Sequence, residues 1–245
     1  MSKYTELENN LITLKLERMK ELLPFVMERK EIENNKLIDI LLELTNNEIL
    51  FRDERARQIN ITVSNFLIKK DINEFDFSFQ PSIDKNRIMD LLTLRFIDKA
   101  ENILFQGLPG TGKTMLACCI GKEAASNRIS TYFVNCNDLI TDLRRAKFEN
   151  KLENKLKFYN KYKLLIIDEI GFLPLSKDDA NMFFQLIAKR YETRSTIITT
   201  NISFSKWGDT FNDSVIATAI LDRLLHHSHV FQIDGPSYRT KDIIQ

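Results

Sequence analysis

The 245-residue sequence predicts an α/β fold: a parallel β-sheet over residues 101–245, preceded by a small all-helical domain. Three observations predict it. From Glu101 onward, apolar runs of four or five residues alternate with amphipathic stretches, the pattern of strands buried on both faces and joined by helical crossovers. No glycine precedes Gly107, and three of the seven then fall at Gly107, Gly110 and Gly112, where average usage would spread about 17 along the chain. Before residue 70, apolar residues recur at helical and not alternating intervals.

Residues 1–70 read as a helical domain for oligomerisation or partner contact. Leu11, Leu14, Arg18 and Leu22, then Leu37, Leu41 and Leu44, keep helical spacing with charges between them. Pro24 is expected to break or bend the first helix. Residues 71–100 read as a connector and a leading helix. Phe75, Phe77 and Phe79 alternate with polar residues, as an edge strand or as an extended segment pinned by its rings; Ile88 to Lys99 returns to a helical pattern. Within 101–245, strands are expected at 103–105, 131–134, 164–167, 196–199 and 230–233. Helices are expected up to Ala125, up to about Lys161, over 178–193 and over about 215–227. Met182, Phe183, Leu186, Ile187 and Tyr191 form the sheet-packing stripe of the third helix.

Composition is that of an ordinary globular protein, with 28% charged and 43% hydrophobic residues. The 35 basic and 34 acidic residues exclude a strongly basic protein, though not a local basic patch. No apolar run reaches the ~18 residues of a membrane span. The start, Met1 to Glu6, opens no apolar leader, so a cytoplasmic protein is expected. Cys118, Cys119 and Cys136 lack the spacing of a disulfide framework or a zinc site and read as reduced core thiols.

The glycine cluster belongs to Gly107-Leu108-Pro109-Gly110-Thr111-Gly112-Lys113-Thr114, a full match to G-x-x-x-x-G-K-[ST] after a strand and opening a helix. Glycines let backbone N–H groups converge on phosphate oxygens, and the helix N-terminus adds donors and a positive dipole end. Lys113 should bridge the β- and γ-phosphates of a nucleoside triphosphate, and Thr114 should ligate Mg²⁺. Asp168 and Glu169 follow a buried strand, where α/β sheets bind ligands. Asp168 is assigned to the magnesium and Glu169 to the attacking water. At the end of the next strand, Thr199-Thr200-Asn201 offers a neutral group to orient that water; Asn201 is favoured over Thr200.

Arg223, in Leu221-Asp222-Arg223-Leu224-Leu225, is read as an arginine supplied to a neighbouring subunit's γ-phosphate; an ordinary pair with Asp222 or another acid is the alternative. Arg239 is read as an in-chain γ-phosphate contact. Residues 144–163 carry eight basic side chains against Glu149 and Glu153, a net +6 interleaved with Phe148, Phe158, Tyr159 and Tyr162. Arg144, Arg145, Lys147 and Lys151 are the candidate contacts to double-stranded DNA, with an ordinary solvated helix face as the alternative. His226, His227 and His229 are all the histidines; metal spacing is conceivable, but no cysteine or acid completes a site, and they read as a helix end near Arg223.

At these residues the chain resembles the IstB family of transposition helper ATPases, a branch of the AAA+ ATPases related to DnaC-type helicase loaders. The resemblance runs from Phe75-Asp76-Phe77 through the glycine loop and Asp168-Glu169-Ile170-Gly171-Phe172-Leu173-Pro174. It continues through Arg190-Tyr191-Glu192-Thr193-Arg194-Ser195-Thr196 and Thr199-Thr200-Asn201. It closes with Leu221-Asp222-Arg223-Leu224-Leu225-His226-His227 and Ser237-Tyr238-Arg239. It implies an AAA+ ATPase domain that hydrolyses ATP, forms a homo-oligomer on DNA and stimulates a cognate transposase. A replicative helicase loader is the alternative it leaves. Lys113, Thr114, Asp168, Glu169 and Asn201 take the roles given above, and Arg223 falls at the family's finger position. Only six residues follow Arg239, so no C-terminal lid is expected, which leaves Arg239 without the lid helix that usually carries such a sensor.

Overall fold

The computed structural model describes residues 3–28, 37–68, 70–171 and 174–240. The chain divides into two compact units, Met1–Ile59 and Asn60–Gln245. The sequence reading places the first boundary at 70. Residues 60–70 go with the second unit because Ser64 and Asn65 bond to one of its strands, as described below.

The first unit contains α1 (Lys3–Thr13), α2 (Glu17–Glu28) and most of α3 (Leu37–Val63). Its core is Leu11, Met19, Leu23, Val26 and Leu44, whereas Leu14 and Leu41 are exposed; the side chain of Leu37 lies outside the described residues. Pro24 does not end a helix. It lies inside α2 on the exposed side, and the break comes earlier, at Lys15. There the backbone turns left-handed (φ 56°), and Leu16 N–H bonds to Leu11 O at 2.8 Å, closing α1 with a Schellman turn. Glu48, only 4% exposed, accepts from the Arg18 and Met19 N–H groups at the start of α2, where a carboxylate complements the helix dipole.

The second unit is a five-stranded parallel sheet: β1 (Asn102–Gly107), β2 (Thr131–Asn135), β3 (Leu164–Ile170), β4 (Ser195–Thr200) and β5 (Ser228–Ile233), in spatial order β2-β3-β4-β1-β5. All five expected strands are present. Successive strand residues face opposite ways, which separates two cores. Ile103, Phe105, Phe133, Ile166 and Ile197 pack with α4 (Lys85–Leu91), α5 (Arg95–Asp98) and α6 (Lys113–Ser126). Leu104, Val134, Leu165, Ile167 and Ile198 pack with α7 (Cys136–Phe148), α8 (Leu152–Asn160), α9 (Lys177–Arg190), α10 (Trp207–Thr210) and α11 (Ser214–Leu225). The stretch read as helical up to Lys161 is two helices, because Asn150 adopts a left-handed conformation (φ 56°) between them. The three cysteines are free and buried. No helix among the described residues is long and apolar enough to cross a membrane.

The aromatic connector is neither a strand nor extended. Asp76 Oδ1 accepts from the Ser78 and Phe79 N–H groups and folds it into turns. Its rings do pin it down: Phe75 is buried in the α6-side core, and Phe79 meets Tyr238 edge-on at 5.2 Å. Upstream, Phe133 N–H donates to Ser64 O (2.8 Å), and Asn65 Nδ2 donates to Phe133 O. These bonds stitch residues 64–65 to β2, the outermost strand on its side. After β5 the described chain ends in a short turn, Tyr238–Thr240; residues 241–245 of the expected tail, with Phe172 and Leu173 of the motif after Asp168, lie outside the described residues.

Arg190 closes the far end of this unit. It is 1% exposed and pairs with no carboxylate among the described residues. Its guanidinium donates to the carbonyls of Tyr159, Tyr162 and Ser195 and to Thr196 Oγ1, tying the end of α8 to β4. Burial lowers its pKa to about 9, so it stays charged at neutral pH. Arg190→Met would take the guanidinium donor from three buried acceptors and from the partly buried Tyr162 carbonyl. We expect it to lower stability by about 3–5 kcal/mol in urea denaturation; an unchanged midpoint would contradict this role.

Candidate functional site

The glycine loop connects β1 to α6. Gly110 and Gly112 hold φ of 81° and 95°, and Gly112 is the residue before the first turn of α6. Both conformations favour glycine, and both positions are closely covered. A Cβ on Gly112 would stand 2.5 Å from the Phe75 ring, and one on Gly110 would overlap Ser237. Thr111, 1% exposed, donates to Leu108 O at 2.8 Å and fixes the bend. Lys113 Nζ folds onto the loop, donating to Gly107 O (2.8 Å) and Leu108 O (2.7 Å). Burial lowers its pKa, and Asp168 opposes that shift. The loop borders a cavity of about 400 Å³ whose wall includes Pro109, Gly110, Gly112, Lys113, Thr114 and Asn201.

The strand ends complete this cavity. Asp168, 2% exposed, accepts from Thr114 Oγ1 at 2.9 Å and from Thr199 Oγ1 at 2.5 Å. Burial raises its pKa, while the two hydroxyls pull it down. The pairing of β3 with β4 shifts register between Ile167 and Ile170, and Glu169 takes a left-handed backbone (φ 62°). That strain costs on the order of 1–3 kcal/mol and turns Glu169 outward while Asp168 stays inside. Glu169 N–H donates to Thr199 Oγ1 (2.9 Å), and its Oε2 accepts from Asn135 Nδ2 (2.9 Å). Asn201 Oδ1 is buried at the cavity wall without a hydrogen-bond partner. Thr200, the other residue considered for that position, spends its hydroxyl on Ile170 O at 2.8 Å.

These groups fit a magnesium-bound triphosphate. Thr114 and Asp168 offer adjacent hard oxygen donors of the kind magnesium takes. The loop N–H groups and Lys113 offer positive charge to phosphate oxygens, and the orphaned Asn201 carbonyl oxygen can accept from a water. Bound there, the ion would neutralise charge on the phosphates.

Arg239 also lines the cavity, and its charge contributes to lowering the Lys113 pKa. Tyr238 N–H donates to Gly110 O (2.9 Å), which fastens this segment to the loop. Arg223 lies elsewhere. It borders a separate shallow groove with Ser214, Thr218 and Asp222, donates to Ala219 O, and stacks 4.8 Å over Phe184.

The basic block is less free than its linear count suggests. Arg144 makes two hydrogen bonds to the buried Asp179 (2.6 and 2.7 Å), Lys147 pairs with Asp178, and Lys151 pairs with Glu149. Lys155 pairs with Asp142. The acids at 142, 178 and 179 lie outside the block in sequence and reach it through the packing of α7, α8 and α9. Arg145 makes no ion pair among the described residues. The helix-end reading holds for His226, which caps α11, whereas His229 lies in β5 and bonds to Glu101 at 2.9 Å; an acid remote in sequence, Glu192, stands beside His226 and His227.

Three contributors were missed by sequence reasoning. Thr199, which bridges Asp168 and Glu169, sits inside the quoted Thr199-Thr200-Asn201 but two residues before the favoured position. Tyr238 adjoins Arg239. Asn135, at the end of β2, carried no sequence signal, because its link to Glu169 exists only through the β2–β3 pairing.

A family model described as IstB-like ATP binding protein matches residues 9–245. The ATP-binding protein of insertion sequence IS232 from Bacillus thuringiensis subsp. berliner is 50% identical over 98% of this chain and 96% of its own length. The corresponding protein of IS5376 from Geobacillus stearothermophilus is 50% identical over 83% of this chain and 81% of its own. Among solved structures, the DnaC helicase loader superposes with a TM-score of 0.51 at 26% identity, covering 61% of this chain and 89% of that one. Strand order, glycine loop and strand-end acids agree with an AAA+ fold.

The raised pKa of Asp168 has a measurable consequence. Its folded-state value lies above its unfolded one, so the folded state holds the proton more tightly, and stability falls as pH rises through the folded pKa. Asp168→Asn removes the buried charge. We expect it to raise the melting temperature of the nucleotide-free protein at pH 7 by ~2–4 °C, flatten this part of the pH dependence and abolish magnesium-dependent nucleotide binding. An unchanged or lower melting temperature would contradict the assignment.

Proposed function

The chain belongs to the IstB-like ATP-binding proteins, and from that membership we propose that it is an ATP-hydrolysing helper of a transposase that assembles on target DNA. The observation that carries the catalytic part is the Thr114–Asp168 contact beside the glycine loop, with Glu169 turned outward one residue on. Lys113 and the loop N–H groups hold the phosphates. Glu169 takes the proton of the attacking water, and Asn201 orients that water. Asn135 holds one oxygen of Glu169, so the carboxylate is positioned before substrate arrives.

Arg223 supports the oligomeric part. It faces a groove apart from its own chain's phosphate loop, so a γ-phosphate contact requires a neighbouring copy. An arginine of this kind is worth roughly 10³–10⁵ in rate. Arg239 contacts the γ-phosphate within its own chain.

DNA contact is assigned to the α7–α8 surface, with Arg145 and Lys151 as the testable members. Arg144 is a poor test, because replacing it strips the partner from Asp179. Burial pushes the Asp179 pKa up, but hydrogen bonds from Arg144 and Ser176 overcome this and hold it at about 2.

A second reading, a replicative helicase loader, rests on the likeness to the DnaC loader. Affinity capture with the full chain as bait, probed for transposase and helicase, separates the two.

Glu169→Gln should bind ATP with unchanged affinity and hydrolyse it at least ~100-fold more slowly. Arg223→Ala should bind normally and lose at least ~1,000-fold in turnover once assembled. Wild-type turnover in either variant removes that residue from the mechanism. Arg145→Glu with Lys151→Glu should abolish retention of duplex DNA at ~0.1 M salt and leave ATP binding intact; retention as tight as wild type would move the interface elsewhere.

A further inference from the structure

Glu192, His226 and His227 each bring one donor atom to within 4.8 Å of the others. Glu192 lies in the turn after α9, and both histidines follow α11, so the packing of these helices assembles the cluster. Glu192 Oε1 stands 3.9 Å from His226 Nδ1 and 3.8 Å from His227 Nε2. These separations are too long for hydrogen bonds, so the three groups converge without satisfying one another. The rings of His226 and His227 lie 3.9 Å apart, centre to centre. All three side chains are about half exposed, at 52–55%, and open to an ion from solvent.

We propose that Glu192, His226 and His227 form a surface site for a divalent transition metal, with zinc as the best-fitting ion. Two imidazoles and one carboxylate are a donor set that zinc takes, with a fourth position left for water. Bonds of roughly 2.0–2.2 Å in tetrahedral geometry need donors ~3.3–3.6 Å apart, so the two Glu192–histidine separations have to close by about half an ångström and the histidine pair, within 4.8 Å, by at most ~1.5 Å. Half-exposed side chains have the rotamer freedom to do so. Magnesium and calcium are disfavoured because two of the three donors are nitrogens. The Tyr191 hydroxyl lies 2.7 Å from His226 Nδ1 and must yield that nitrogen when the ion binds. The bound ion ties the end of α9 to the end of α11, the helix that carries Arg223. The site itself does not depend on the ATPase reading.

The test is calorimetric titration of zinc chloride into the full-length, tag-free protein without nucleotide, with visible absorption of the cobalt(II) form as a second readout. We expect one zinc per chain, a tetrahedral-type cobalt spectrum and a zinc-dependent rise in melting temperature that magnesium does not produce. Glu192→Gln and His227→Ala should each weaken zinc binding about tenfold or more and lose the thermal shift, while melting like the wild type without metal. No saturable zinc binding by the wild type, or equal affinity in the double variant His226→Ala, His227→Ala, would overturn the proposal.

Discussion

The carboxylate of Asp168 sits almost fully buried between the hydroxyls of Thr114 and Thr199, and much of the second unit is arranged around keeping a charge there. Thr114 comes from α6 and Thr199 from β4, so the contact fixes the start of one helix and the end of another strand against β3. The same Thr199 oxygen accepts from Glu169 N–H and thereby holds the left-handed backbone that separates two neighbouring acids into an inner and an outer role. Burial disfavours the inner charge. A fold optimised for stability alone would put an uncharged residue at this position; the cleft instead retains a group whose charge a cation can complete.

The sheet was legible because its strands are short apolar runs that little else in a polar sequence can imitate, and because the glycine loop pins β1 to α6. Helix ends were harder to read. The turn at Lys15 depends on a backbone conformation that a lysine adopts only because the Schellman bonds around it are satisfied. Pro24 looked like the breaker, yet a proline on an exposed side of α2 forfeits one backbone bond without ending the helix. The aromatic connector showed strand-like alternation but folds into turns, because Asp76 offers its carboxylate to two nearby backbone donors.

Within the site, the leading residue of each motif was found, its neighbours Thr199 and Tyr238 were passed over, and Asn135, joined only by strand pairing, carried no signal. Lys113, Thr114, Asp168 and Asn201 stand around one cavity or at its edge. Asn135 reaches Glu169 from an adjacent strand, and Glu192 comes beside His226 and His227 from the turn after α9. The basic block teaches the same lesson through charge. A net count along the chain cannot anticipate that Asp142, Asp178 and Asp179 arrive by packing to engage Lys155, Lys147 and Arg144.

The bonds from residues 64–65 to Phe133 bear on how the protein can be cut. They occupy backbone groups of β2 that would otherwise face outward as an open template for another chain's strand. A shortened version beginning after Asn65 would uncover that rim and invite stacking into insoluble ribbons, whatever the condition of the nucleotide-binding cleft. One beginning near Asn60 keeps the rim sheathed. The short stretch between the helical unit and the sheet therefore also acts as a guard against aggregation.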